Sequence, residues 1–281
     1  MQKLTKVSDR LYYLPPVQVT DRPILGAIVG EEKTVLIDSG NSSQHAKLFL
    51  QQLEEIGVRA DLLILTHWHW DHVFGMREIA VPSISCKETY ANIREMQSLS
   101  WEDKDLDQRV EEGTEIPFCA DAIKEEFGSE RDIQVQLPTI VFENRMTIYV
   151  GGVTCEIEHI GGDHSSDSCI VFIPEEKALF LGDCLYANLY AEKWNYTVGK
   201  ILKLVQQLEK YDADIYFLSH HPAPLPKEEF NSFLQLLKNS ALLTQKHDGN
   251  EEAIRQEMAS TLQRELNEEE IETIGYFVNG W

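Results

Sequence analysis

The 281-residue sequence predicts an α/β fold, and three features of the chain point to it. Apolar runs of strand length recur, as in "TVLIDSG", "DLLILTH", "SCIVFIP" and "DIYFLSHH", bounded by turn residues. A segment of helical period separates the first two, so strand, helix and strand follow one another. Several of these runs end in His or Asp beside Gly or Ser, the strand ends where α/β proteins collect binding groups.

The elements follow in order. "RLYYLP", "AIVG" and "TVLIDSG" read as strands joined by Gly and charged turns. "NSSQHAKLFLQQLEEIG" reads as a helix with Ala46, Leu50, Leu53, Phe49 and Ile56 on one face, capped by Ser42 or Ser43 and stopped by Gly57. "DLLILTH" is a strand buried on both faces. Residues 72–80 open a short helix that Gly75 interrupts, and "VPSISC" is another short strand. From about 87 to 134 the chain turns helical and charged. Trp101, Met96, Leu99 and Phe118 among the acids fit either a cover over a pocket or an ordinary helical excursion. Strands return in "TIVFENRMTIYVGGVTCEIEHIGG" and "SCIVFIPEEKALFLGD", with "ENR" and "PEEK" read as hairpin turns. Helices are expected near 197–210, 226–243 and 250–265, with "DIYFLSHH" as a strand before the last two. One domain over 1–281 is the simplest organisation, with a helical insertion at about 87–134 and a helical tail at about 226–281.

Composition narrows the function classes. Hydrophobic residues make up 43% of the chain, and no apolar run is long enough to cross a bilayer. The start "MQKLTKVSDRLYYL" lacks the apolar core of a signal peptide, so a cytoplasmic location is expected. A net charge of -22 repels phosphate backbones and disfavours nucleic acid as a partner. Five scattered cysteines without a C-x-x-C pair argue against a disulfide framework and read as small buried hydrophobes. Nothing in the pattern sets an oligomeric state.

The chemistry concentrates in "THWHWDH", where His67, His69 and His72 crowd beside Asp71. Imidazoles next to a carboxylate suit a borderline cation such as zinc. In extended chain His67 and His69 project to one side. Asp71 and His72 cannot share that side unless the chain turns, and then they are free to serve a second ion. Three further stretches place such residues at strand ends: "GGDHSSDS" with His164, "LFLGDCLY" with Asp183, and "YFLSHHPAP" with His220 and His221. His45 is expected at the surface or rim, His159 as a structural neighbour, and His247 facing solvent.

Taken in order, these stretches resemble the metallo-β-lactamase superfamily, the metallo-hydrolase/oxidoreductase fold. "THWHWDH" fits its T-H-x-H-x-D-H pattern at every fixed position. "LIDSG", "GGDHSSDS", "LGDCLY" and "SHHPAP" resemble its later motifs, and the likeness covers about residues 10–225. The resemblance implies a four-layer αβ/βα sandwich of two mixed sheets flanked by helices, with two divalent metal ions at one edge. It implies His67, His69 and His164 around one ion, and Asp71, His72 and His220 around the other. Asp183 would bridge the two, with Asp38 supporting the ligands without being one. The chain departs from the family at Asp163, Ser165, Ser166 and Asp167, and at His221 where glycine is common. Asp183 stands where one lactamase subclass has cysteine, with Cys184 adjacent. His69 is intact and no flavodoxin-like domain follows, unlike the diiron flavoprotein branch.

A small-molecule hydrolase of the glyoxalase-II-like branch is therefore the expected function. It would cleave a thioester, ester, lactone or amide through a metal-bridging hydroxide, with Asp71 and Asp183 as catalytic residues. Zinc is the expected metal, with iron or manganese also compatible. A metal-dependent phosphodiesterase and a non-catalytic binding or regulatory protein are the alternatives. Trp68 and Trp70 either pack behind the metal loop or line its mouth. Tyr186 either donates to an oxyanion or packs, and His221 is a further candidate for the pocket wall.

Overall fold

Alternation within the strands decides the layers. In Leu25–Val29, Leu25 and Ala27 point to one side while Ile28 points to the other, and in Thr34–Ile37 Leu36 opposes Val35 and Ile37. The same period in Ala178–Gly182 sends Leu179 and Leu181 outward and Ala178 and Phe180 inward. A strand that is apolar on both faces must be covered twice, which requires two sheets facing each other and helices outside both. The structure, a computed structural model, has that form and describes residues 2–129 and 131–281. Met1 and, within the charged stretch 87–134, Glu130 lie outside the described residues.

The first sheet is ordered β1 (Thr5–Lys6), β2 (Leu11–Leu14), β3 (Leu25–Val29), β4 (Thr34–Ile37), β5 (Leu62–Ile64), β6 (Ser83–Cys86) and β7 (Ile140–Phe142). Pairing is antiparallel through β4 and parallel from β4 to β7. The second sheet contains β8 (Arg145–Tyr149), β9 (Thr154–His159), β10 (Cys169–Ile173), β11 (Ala178–Gly182), β12 (Ile215–Leu218) and β13 (Leu225–Pro226), with only β11 and β12 parallel. The inner faces share one core that includes Ile37, Ile64, Val171 and Phe180. Outside the first sheet lie α1 (Ser43–Glu55), the single turns α2 (Trp70–Val73) and α3 (Met76–Ile79), and α4 (Lys87–Met96), α5 (Asp103–Glu111) and α6 (Pro117–Phe127). Outside the second lie α7 (Val198–Leu208), α8 (Lys227–Lys246) and α10 (Glu268–Asn279), with α9 (Glu251–Leu262) packed on α8 and α10. No helix among the described residues is long and apolar enough to cross a membrane.

Two local expectations are corrected. "ENR" does not turn a hairpin: β7 pairs with β6 in the first sheet and β8 with β9 in the second, so the segment carries the chain between sheets. Local pattern identifies both strands but not which neighbour each edge takes. In α1 the inward face is His45, Ala46, Phe49 and Leu53, while Leu50 is only partly buried and Ile56 is 48% exposed. Ser42 is the cap, accepting from the His45 N–H at 3.0 Å, and Ile56 has already left helical geometry. "PEEK" does close a hairpin, between β10 and β11.

The α4–α6 segment lies between β6 and β7 and is tied to the N-terminal region by a buried ion pair. Arg22 donates to Glu126 on α6 at 2.6 Å, and the Ser42 hydroxyl donates to the same carboxylate. The Glu126 side chain is 2% exposed. Burial opposes its charge, but Arg22 and Ser42 hold the carboxyl below the usual glutamate range. Glu126→Gln should therefore lower stability at pH 7 by about 3 kcal/mol, since it leaves the Arg22 charge without its partner. A group with a depressed folded pKa contributes stability above its unfolded value. The gap between wild type and variant in urea unfolding should therefore close as pH falls below the glutamate range.

Candidate metal centre

Every group of the candidate centre follows a strand at one edge of the sandwich. Asp38 follows β4, His67 follows β5, His164 lies in the loop after β9, Asp183 directly follows β11, and His220 follows β12. The parallel pairs β4–β5 and β11–β12 bring their C-terminal ends together there. After His69 the chain turns into α2, which swings Asp71 and His72 away from the side that His67 and His69 share. Gly75 makes room for this turn: a Cβ on it would lie 2.0 Å from the Ser39 carbonyl oxygen.

Among the described residues two sets of side chains converge. In the first, His69 Nδ1 lies 3.1 Å from His67 Nε2 and 2.9 Å from His164 Nε2. In the second, Asp71 Oδ2 lies 3.0 Å from His72 Nε2 and 3.2 Å from His220 Nε2. Asp183 joins them. Its Oδ2 is 3.7 Å from His67 and 3.4 Å from His164 in the first set, and 3.4 Å from His72 and 3.3 Å from His220 in the second.

The arrangement fits a pair of divalent ions. Bonds of about 2.0–2.1 Å to a tetrahedral ion place neighbouring nitrogens about 3.3 Å apart, close to the spacing found. His72 Nε2, Asp71 Oδ2 and Asp183 Oδ1 are buried and have no hydrogen-bond partner, a costly state for a protein interior unless a cation meets them. Burial, reinforced by the neighbouring imidazoles, keeps His67 well below the usual histidine range and pushes His69 down to about 3, so both rings offer neutral nitrogens. Burial opposes ionisation of Asp183, but His220 and His72 hold it well below the carboxylate range. The donors form a dinuclear metal site.

Asp38 fixes one member of this set without entering it. Its backbone is left-handed, at φ 57°, and its carboxylate accepts from the Thr66 N–H and hydroxyl, each at 2.8 Å. It also lies 2.8 Å from His72 Nδ1. That contact holds Nδ1 and leaves Nε2, which faces Asp71 and Asp183, as the ring nitrogen that would meet an ion. Asp38→Asn should weaken metal binding about 10- to 100-fold, measured by competition with a chromophoric chelator.

The remaining candidates separate. Trp68 donates to Ser165 Oγ at 3.1 Å and packs edge-on against His69, behind the ligand loop. Trp70 is buried against Phe74 and lines a cavity of about 240 Å³ above the donors. Tyr186 lines the same cavity and accepts the His220 N–H at 3.3 Å. His221 faces the Ala223 carbonyl and lines a separate groove beside α8, so it does not join the donors. Asp163 accepts from Thr197 N–H at 2.7 Å and anchors the start of α7, while Asp167 is held by Thr89 and Ser165.

His45 is not at the surface: it is fully buried, with its ring beneath Gly40, and burial holds it well below the histidine range. A histidine read as polar breaks the apolar stripe of α1, which hid its inward position. His159 lies outside both sets and contacts the Ser166 carbonyl at 2.8 Å. His247 is half-buried against Glu257 at 2.7 Å and does not face solvent freely. Cys184 is a buried core residue.

Sequence reasoning missed Asp21. Its Oδ1 lies 3.3 Å from His220 Nδ1, so it buttresses that ring from behind, and burial with Asp71 nearby pushes its carboxyl up to about 7. Its stretch, "VTDRP", carries no strand-end or spacing signal.

Comparison with known proteins agrees with this geometry. A family model described as the metallo-beta-lactamase superfamily matches residues 26–220. A metallo-beta-lactamase type 2 from Bacteroides fragilis is 20% identical over 216 residues, 75% of this chain and 73% of that protein. Among solved structures, a metallo-beta-lactamase from Pontibacter korlensis aligns with TM-score 0.57 at 21% identity, over 85% of this chain and all of that one. A stereoselective inverting sec-alkylsulfatase from Pseudomonas sp. aligns with TM-score 0.65 at 16% identity, over 88% of this chain and 42% of that one.

Proposed function

The chain belongs to the metallo-beta-lactamase superfamily and carries the active site of a dinuclear metal-dependent hydrolase, and from this premise we propose that it hydrolyses a small-molecule thioester, ester, lactone or amide. The supporting observation is Asp183 Oδ2 standing 3.3–3.7 Å from ring nitrogens of both sets, at the floor of a cavity with largely apolar walls.

In this reading His67, His69 and His164 would hold one ion, Asp71, His72 and His220 would hold the other, and Asp183 would serve both. Zinc suits the imidazole-rich first set, while the carboxylates also accept iron or manganese. A bound pair supplies Lewis acidity and water acidified to near neutrality. The chain's own residues set the geometry. Asp71 lines the cavity and keeps its Oδ2 against the His72 and His220 rings. Asp38 and Asp21 hold the His72 and His220 rings in position. Trp70, Ile116 and Phe118 form part of the apolar wall of the cavity. Tyr186 accepts the His220 N–H, which leaves its own proton to donate toward an oxyanion in the cavity. Burial, with Asp183 close by, holds that phenol protonated, well above the usual tyrosine range.

The test is a matched panel of phenyl esters, thioesters, lactones, amides and phosphodiesters, run on protein of measured metal content. Metal-dependent turnover of a carbonyl substrate, lost on chelation and restored by the ion, is the expected result. Faster phosphodiester turnover at equal metal content would replace this reading with a phosphodiesterase, and no turnover of any member would favour a binding role.

A further inference from the structure

The wall beside the metal centre carries information about the part of the substrate that does not react. The inner cavity shares Ile116, Phe118, Leu189, Tyr190 and Trp194 with an outer groove of about 680 Å³, so the two form one path to the surface. Three of those side chains are large and unusually open: Phe118 is 51% exposed, Tyr190 38% and Trp194 46%. A cluster of exposed aromatics at the mouth of a site marks a surface that gains by being covered with apolar ligand.

The charged side chains lining the outer groove have one sign. Among the described residues no Lys or Arg lines the cavity or the groove, whereas Asp21 lies in the cavity wall and Glu115 and Glu192 in the groove wall. The N-terminus of α6, a feature that attracts anions, also opens here. One of its N–H groups, that of the Ile116 cap, is already taken by the Glu115 carboxylate at 3.0 Å, which sets a protein acid beside the positive end of the helix. Metal charge acts at the reacting group. The outer arm lies along the aromatic and acidic wall, where a carboxylate or phosphate would lose water beside Glu115 and Glu192.

Resting on the hydrolase reading above, we infer that the arm of the substrate reaching from the reacting carbonyl into this groove is apolar and carries no negative charge. Phe118, Tyr190 and Trp194 provide its contact surface. Glu115 and Glu192 discriminate against anionic analogues.

The test uses metal-loaded protein and two matched series. Phenyl esters share one leaving group and one acyl length, with the acyl chain ended by methyl, trimethylammonium or carboxylate. Methyl ketones with the same three ends bind but cannot be hydrolysed. The carboxylate-ended ketone should bind at least about tenfold more weakly than the methyl-ended one by calorimetry. The same ratio should appear in KM more than in kcat for the esters. Glu192→Lys should narrow the gap about threefold, read in ketone binding and in ester KM alike. Equal binding of the carboxylate-ended and methyl-ended ketones, or binding of neither, overturns the inference. Turnover of all three esters with equal KM overturns it too, while leaving the hydrolase reading in place. Ketone discrimination without turnover of any ester upholds the charge preference and removes the hydrolase reading.

Discussion

Asp183→Asn should strip the protein of most of its metal and lower turnover by on the order of 10³-fold, about 4 kcal/mol of transition-state stabilisation. The size of this effect follows from position. One oxygen, Oδ2, lies within 3.7 Å of His67, His72, His164 and His220, four rings drawn from both donor sets. Asparagine keeps the shape but removes the negative charge, and it directs either a neutral carbonyl or an N–H group into the same space. An N–H there would repel a cation, and a neutral oxygen would hold one only weakly. Elemental analysis of wild type and variant purified in parallel gives the first readout, and steady-state turnover the second. Urea unfolding shows whether the fold is intact. A variant that retains two ions per chain and full activity would remove Asp183 from the bridging role.

His220→Ala and His221→Ala form the second pair, and adjacent positions should give opposite results. His220 sends Nε2 to within 3.2 Å of Asp71 and 3.3 Å of Asp183, and its other nitrogen is 3.3 Å from Asp21. Its removal deletes a donor and leaves Asp21 without the ring that faces it, so metal at that set should be lost and turnover should fall at least about 100-fold. His221 turns back onto the Ala223 carbonyl beside α8 and touches none of the donors. Its replacement should change stability and turnover within about twofold. The reverse order, in metal analysis and kinetics alike, would reassign the last ligand.

The chain's layers were largely legible because strand alternation is a local signal. Leu36 against Ile37, or Leu179 against Phe180, states which side chains face which way before any fold is known. Failures came where distant segments decide. The three residues "ENR" are compatible with a hairpin, yet β7 and β8 belong to different sheets because each finds its partner elsewhere in the chain. His45 was hidden by its own polarity, since its burial depends on Gly40 leaving room for the ring.

By itself the sequence determined a two-sided α/β architecture and the chemical character of the centre. Period-2 burial and the density of imidazole and carboxylate at strand ends are properties of neighbouring residues. Tertiary structure alone decided that Asp21 stands behind His220, and that Trp68 packs while Trp70 lines the cavity. It also decided that Glu115, Tyr190 and Trp194 share one groove. These relations span segments far apart in the chain. They are fixed by the crossing of strands and the packing of loops at the sheet edge, for which no stretch of sequence carries a signal of its own.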